Sequence, residues 1–163
     1  MGEVRKSNLY DIDAGILPKN ACVVIVRTEW NAAIVDKLEE GCIRVLNQYN
    51  ISYRVLVVPG AFEVPYGIKQ YWDAVQQKMS KPDAFIAFAC VIRGGTPHFD
   101  YVCQGITNGI TQLNLSLPVP TIYGVLTVDN EQQAIERIGG VHGHKGEEAA
   151  ITALKMIAMK NGI

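Results

Sequence analysis

At 163 residues, 48% of them hydrophobic and 19% charged, the chain is long enough to bury roughly 70% of its unfolded surface around one core and too apolar to stay disordered. Fifteen Lys and Arg against sixteen Asp and Glu leave a net charge of -1, which excludes the basic field that a nucleic acid or an anionic membrane needs. No apolar run approaches the ~20 residues that span a bilayer, and the polar stretch Met1-Gly2-Glu3-Val4-Arg5-Lys6 lacks the apolar core of a signal peptide, so a soluble cytoplasmic protein is expected.

Residues 1–20 carry no clear period and are expected to be an arm, ordered through contact with something else, on a single domain that spans 1–163. Short apolar runs rich in β-branched residues predict buried strands over 21–27, 53–58, 84–92 and 120–127. Between the first two, Ile34, Leu38, Cys42, Val45 and Leu46 fall on one helical stripe. A second helix is predicted from Glu63-Val64-Pro65, with Pro65 in its first turn and Ile68, Tyr71, Trp72 and Val75 facing inward. A third starts near His98, with Val102, Cys103, Ile106, Ile110, Leu113 and Leu117 inward. Asp129 or Asn130 caps a short fourth helix that runs to Arg137, and a last one covers 147–159. The order β-α-β-α-β-α-β-α-α predicts an α/β fold: three layers, with a four-stranded parallel sheet between helices and flavodoxin-like topology. Cys22, Cys42, Cys90 and Cys103 lie in apolar runs with no C-x-x-C pair and are expected to be buried free thiols.

Open parallel sheets bind ligands beyond the carboxyl ends of their strands, so the strand exits hold the candidate chemistry. After the first strand, Arg27-Thr28-Glu29-Trp30-Asn31 places an indole in a loop, either capping the core or offering a stacking plate to a flat heterocycle. After the second, Pro59-Gly60-Ala61-Phe62-Glu63 lets a ligand approach the backbone, and Glu63 is either a helix-start carboxylate or a hydroxyl binder. After the third, Arg93-Gly94-Gly95-Thr96-Pro97-His98 joins a glycine pair, a hydroxyl and a helix start, which together suit a phosphate. His98 beside that loop is placed for proton transfer, with burial or the helix dipole setting its pKa. Farther on, Gly139-Gly140-Val141-His142-Gly143-His144-Lys145-Gly146 matches neither a P-loop nor a dinucleotide fingerprint; one H-x-H is a weak metal signal, and a solvated polar loop is expected. No metal and no cofactor is called for. Arg137 is either a phosphate ligand or one half of a surface ion pair.

Taken together, Trp30-Asn31, Pro59-Gly60-Ala61-Phe62-Glu63-Val64-Pro65, Val91-Ile92-Arg93-Gly94-Gly95-Thr96-Pro97-His98-Phe99-Asp100-Tyr101-Val102, Tyr123-Gly124-Val125-Leu126-Thr127, Glu131-Gln132-Gln133-Ala134, Arg137 and Lys145-Gly146 resemble the 6,7-dimethyl-8-ribityllumazine synthase family in type, order and spacing. The resemblance implies condensation of 5-amino-6-(D-ribitylamino)uracil with 3,4-dihydroxy-2-butanone 4-phosphate, the penultimate step of riboflavin biosynthesis. It implies that Trp30 stacks on the pyrimidine, that Ala61, Phe62 and Glu63 hold the ribityl chain, and that Cys90, Val91 and Ile92 meet the pyrimidine edge through their backbone. Gly95, Thr96 and Arg137 would bind the phosphate and His98 would move protons. Tyr123 and Arg137 would come from the adjacent subunit of a homopentamer, with Lys145 and Glu148 nearby. The family more often carries Phe where Trp30 stands. The loop 139–145 keeps the length of capsid-forming members, which implies sixty subunits in twelve pentamers, with riboflavin synthase as an associated protein. The rival reading is a flavin- or lumazine-binding protein of the same fold without turnover, against which Thr96, His98 and Arg137 argue.

Overall fold

The computed structural model describes residues 8–12, 17–78 and 80–163. Strand β1 (Cys22–Thr28) leads through Asn31 into helix α1 (Ala32–Gln48), and Asn50, in the left-handed conformation at φ 55°, ends that helix and turns the chain into β2 (Ser52–Val58). A 3-10 turn, Ala61–Glu63, opens α2 (Val64–Val75), where Pro65 takes a first-turn position whose missing N–H leaves no bond unmade. Strand β3 (Ala84–Ile92) precedes α3 (His98–Ser116), and β4 (Thr121–Val128) precedes the one-turn α4 (Glu131–Ile135), capped by the Asn130 side chain at 3.0 Å from Gln133 N. A small hairpin of β5 (Ile138–Gly140) and β6 (Gly143–His144) then delivers the chain to α5 (Lys145–Asn161).

The main sheet has the order β2-β1-β3-β4, all parallel. Alternation along the central strands divides the core in two. Val23 and Ile25 of β1, with Ile86, Phe88 and Cys90 of β3, pack under α1 and α5, whereas Val24 and Val26, with Phe85, Ala87 and Ala89, pack under α2 and α3. Both faces of β1 and β3 are therefore apolar, as a covered parallel sheet demands. Strand β2 departs from the expectation of a buried strand: Tyr53, Val55 and Val57 are exposed, because β2 is an edge and α1 lies over the centre of the sheet. The arm is partly outside the described residues, but Leu9 and Ile12 pack against the α1–α5 core of their own chain, and Lys155 Nζ donates to Asn8 O at 2.7 Å. Cys42 and Cys90 are buried thiols, while Cys22 and Cys103 are only half-buried.

The loop at 139–146 is only partly the solvated loop expected: residues 139–141 are exposed, whereas 142–144 are half-buried and Lys145 and Gly146 are buried. Gly139 (φ 112°) and Gly143 (φ 80°) sit where only glycine is relaxed and close the hairpin, and Lys145 N donates to Arg137 O at 2.8 Å. His144 is half-buried: its ring covers Gly41 of α1 and its Nδ1 accepts from Glu147 N, which makes it the N-cap of α5. This cap lets α5 begin two residues before the predicted start. Two residues on, Gly146 meets the carbonyl of Leu38, so the two helices touch backbone to backbone.

Two outcomes follow from that seam. A Cβ at residue 146 would run into the Leu38 carbonyl, so Gly146→Ala should lower stability by ~1–3 kcal/mol in urea unfolding; an unchanged midpoint would mean that the seam yields freely. The His144 pKa is depressed below its ordinary value chiefly by burial, with Arg44 adding to the shift and Glu147 and Glu40 opposing it. A folded pKa below the unfolded one means that the unfolded chain binds more protons, so stability is present above the unfolded pKa of 6.5 and is lost as pH falls through it. Across the range from about pH 8 to pH 5, His144→Asn, which caps without titrating, should lose less stability than the parent. Parallel pH profiles would show that the imidazole does not couple to folding.

Candidate active site

The strand order reverses between β1 and β3, and the crevice at their carboxyl ends collects most of the residues singled out from sequence. At the β1 exit, Glu29 N donates to Val58 O (2.9 Å) and Trp30 N to Pro59 O (3.2 Å), while the buried Thr28 hydroxyl donates to Trp30 O (3.2 Å). The backbone is thus fastened on three sides and the indole is pushed outward. Trp30 is 73% exposed, which removes the core-cap alternative and leaves a flat apolar plate at the rim. The next residue, Asn31, holds φ 55°, ψ 43°, a conformation that asparagine tolerates better than most residues, and its Nδ2 donates to Cys90 O at 2.7 Å. Sequence reasoning gave Asn31 no role; an Asn between a strand and a helix is the signal that marks it.

At the β2 exit, the Phe62 ring lies over Gly105 of α3, where a Cβ would come within 2.5 Å of it, yet its outer face is exposed. Glu63 makes no side-chain cap to α2, and its carboxylate folds over Gly60 instead. At the β3 exit, Cys90 is buried and its thiol is pushed up to about 11 by burial, so the backbone is what this residue presents; Val91 and Ile92 are half-buried beside it.

The Gly94-Gly95-Thr96-Pro97 loop is exposed, and a Cβ at either glycine would meet nothing within 4 Å. It opens directly onto the first turn of α3, whose 19 residues supply aligned dipoles and unpaired N–H groups for an anion. Thr96 Oγ1 accepts from His98 N at 3.4 Å, and the His98 side chain is exposed. An exposed indole, a bare glycine loop at a helix start and an exposed imidazole thus stand at the carboxyl ends of neighbouring strands.

A second group of residues lies elsewhere. Tyr123 pairs with Ala87, three residues before the pairing of Cys90 with Leu126, and so about 10 Å down the strand from the crevice floor. Its hydroxyl is 2.9 Å from Thr107 Oγ1, and burial holds the phenol pKa above its ordinary value. Arg137 follows α4, and its Nη1 donates to Gln133 O at 2.8 Å, so it is not a simple surface ion pair. Lys145 and Glu148 form a buried pair at 2.8 and 3.1 Å, 8% and 1% exposed, in the first turn of α5, with the Glu148 carboxylate beside Gly143. The chain therefore brings Trp30, Ala61, Phe62, Glu63, Cys90, Val91, Ile92, Gly95, Thr96 and His98 to the carboxyl ends of its first three strands, whereas Tyr123 lies farther down β4 and Lys145 and Glu148 pair within α5.

A sequence profile of 6,7-dimethyl-8-ribityllumazine synthase matches residues 20–161. The chain is 46% identical over 158 residues to the 6,7-dimethyl-8-ribityllumazine synthase of Porphyromonas gingivalis, which covers 94% of this chain and 95% of the relative. It is 43% identical over 155 residues to that of Parabacteroides distasonis (92% and 94% covered), and 47% identical over 137 residues to that of Cytophaga hutchinsonii (82% and 83% covered). With a family match over nearly its whole length and relatives of this similarity, the chain belongs to the 6,7-dimethyl-8-ribityllumazine synthase family.

Proposed function

We propose that this protein condenses 5-amino-6-(D-ribitylamino)uracil with 3,4-dihydroxy-2-butanone 4-phosphate to give 6,7-dimethyl-8-ribityllumazine, phosphate and two molecules of water. The observation that carries the reading is the junction of the exposed Trp30 indole with the bare Gly94-Gly95 loop and His98 at one strand-exit crevice in a chain of this family. Trp30 stacks on the pyrimidine, while the backbone at Cys90, Val91 and Ile92 meets its edge. Ala61, Phe62 and Glu63 take the ribityl chain, a role that the uncapped Glu63 carboxylate supports. Gly95 and Thr96 hold the phosphate, with Arg137 as the bidentate cation. His98 carries protons between the amine, the carbonyl oxygen and the leaving phosphate as the Schiff base forms, phosphate departs and the ring closes.

The separation of Tyr123 from its own crevice supports a site shared between neighbours: Tyr123 and Arg137 of one subunit complete the crevice of the next, with Lys145 and Glu148 steadying the start of α5 behind Arg137. A ring of five is the assembly proposed, and the uninterrupted 139–145 loop favours twelve such rings in a sixty-subunit shell. Riboflavin synthase is the partner and the cytoplasm the compartment that the resemblance proposes, and one domain spans the chain.

Two experiments test this reading. Mixing both substrates with the protein should produce the lumazine chromophore, and His98→Ala should slow its appearance ~10²–10⁴-fold while substrate binding survives; an unchanged single-turnover rate would make His98 structural. Joint refolding of His98→Ala with Arg137→Ala, each nearly inactive alone, should restore activity at interfaces that pair an intact His98 with an intact Arg137. A mixture no more active than its parents would remove the shared site, and with it the chief reason for expecting a ring.

A further inference from the structure

The loop that holds the phosphate in this reading has little packing of its own. Gly94 and Gly95 face open space, Thr96 and Pro97 are exposed, and among the described residues the loop is fastened at its ends. At the far end stands the contact of His98 N with Thr96. At the near end stands Arg93, whose N–H donates to Val128 O at 2.8 Å, an extension of the β3–β4 ladder. Its side chain then reaches in two directions at once. Nε donates to Asp129 Oδ1 at 2.8 Å, at the corner between β4 and α4; Nη1 donates to Asp100 Oδ1 at 3.3 Å, in the first turn of α3; and the guanidinium plane lies 4.2 Å from the centre of the Phe99 ring.

The network continues beyond Asp129. Asp129 N donates to Gln133 Oε1 at 2.8 Å, and the carbonyl of the same Gln133 accepts from Arg137 Nη1 at 2.8 Å. One planar cation therefore joins the helix that carries His98 to the corner that carries Arg137, with the glycine loop strung between. The ion pairs are exposed, with Arg93 46%, Asp100 52% and Asp129 64% accessible, so each adds little to the stability of the fold. What they fix is direction: a fork with three bonded or stacked partners has one orientation, which a lysine ammonium on a flexible stem lacks.

We infer that Arg93 is a positioning residue for phosphate, setting the Gly94–Pro97 loop and the start of α3 against the β4–α4 corner and, through Gln133, the arginine that the chain lends to its neighbour. This rests on the assignment of Gly95 and Thr96 to the phosphate. A loop without packing samples many shapes, and a clamp at its root removes that freedom before the ligand arrives, so the energy of binding is not spent on ordering it.

The test uses the full-length protein with inorganic phosphate as the probe, followed by calorimetry and by competition in the condensation assay. Arg93→Gln and Arg93→Lys should each weaken phosphate binding and raise KM for the butanone phosphate on the order of tenfold, within the hundredfold that a misplacement of about an ångström can cause. KM for the ribitylaminouracil and the thermal midpoint should hardly move, a split that a general loss of structure would not produce. Asp129→Asn should do the same, and the double variant Arg93→Gln/Asp129→Asn should be no worse than either single one, because both act through one clamp. Equal losses for both substrates, additive effects in the double variant, full function in Arg93→Lys, or a parent protein that does not bind phosphate would each overturn the inference. A parent that binds phosphate with this dependence on Arg93 yet makes no lumazine would overturn the proposed reaction and leave the clamp standing.

Discussion

The pairing of β1 with β3 is the constraint on which the rest hangs. Strand β2 is attached to the sheet only through β1, and β4 only through β3, so the five pairs from Val23 with Ala84 to Arg27 with Phe88 hold the two wings of the molecule together. Most of those side chains are fully buried, and burying a Val, Ile or Phe contributes about 1.5–3 kcal/mol each. That seam also fixes the crevice. Trp30 leaves from one of the two strands and the glycine loop from the other, and the Asn31 amide spans the gap to the Cys90 carbonyl just above the last pair. A shift of one residue in this register would turn every core side chain to the wrong face and draw the indole away from the anion cradle.

The core and the crevice make opposite demands on the chain. Behind the sheet, α1 and α5 approach until Gly146 touches a backbone carbonyl, and the Lys145–Glu148 pair is sealed under the start of α5, where breaking it by removing one partner typically costs 3–5 kcal/mol. At the strand exits the same chain leaves an indole, a phenyl ring, two glycines and an imidazole open to water. Catalysis of a condensation gains from excluding water, and one subunit alone leaves its crevice uncovered. In the proposed assembly, a neighbouring surface bringing Tyr123 and Arg137 supplies the missing wall.

Much of this was readable before any coordinates. The strands declared themselves because runs such as Val23-Val24-Ile25-Val26 are apolar on both faces, and the helices because Ile34, Leu38, Cys42 and Val45 keep a helical period. The hairpin at 138–144 escaped notice because strands of three and two residues have no period to detect, and His144 was misplaced in solvent because its partner, Gly41, is about a hundred residues away. The exposure of β2 depends on lateral strand order, which no local pattern encodes. At the strand exits, the motifs singled out residues that the fold brings to one end of the sheet, but whether Trp30 lay inward or outward was decided by backbone bonds to β2 and the turn after it that a linear reading does not contain.

The empty space around Gly94 and Gly95 bears on how this loop is free to vary. Neither residue adopts a positive φ, and a methyl group on either would meet none of the described residues beyond its chain neighbours within 4 Å. Folding therefore exerts no selection for small residues there, and a screen that scored only expression or thermal stability would accept alanine or serine at both positions. Any demand for small residues there would come from outside the subunit, from a ligand or an adjoining chain that presses closer to the backbone than a side chain allows. Substitutions at these two positions therefore probe what the loop has to admit, because the fold of the subunit hardly registers them.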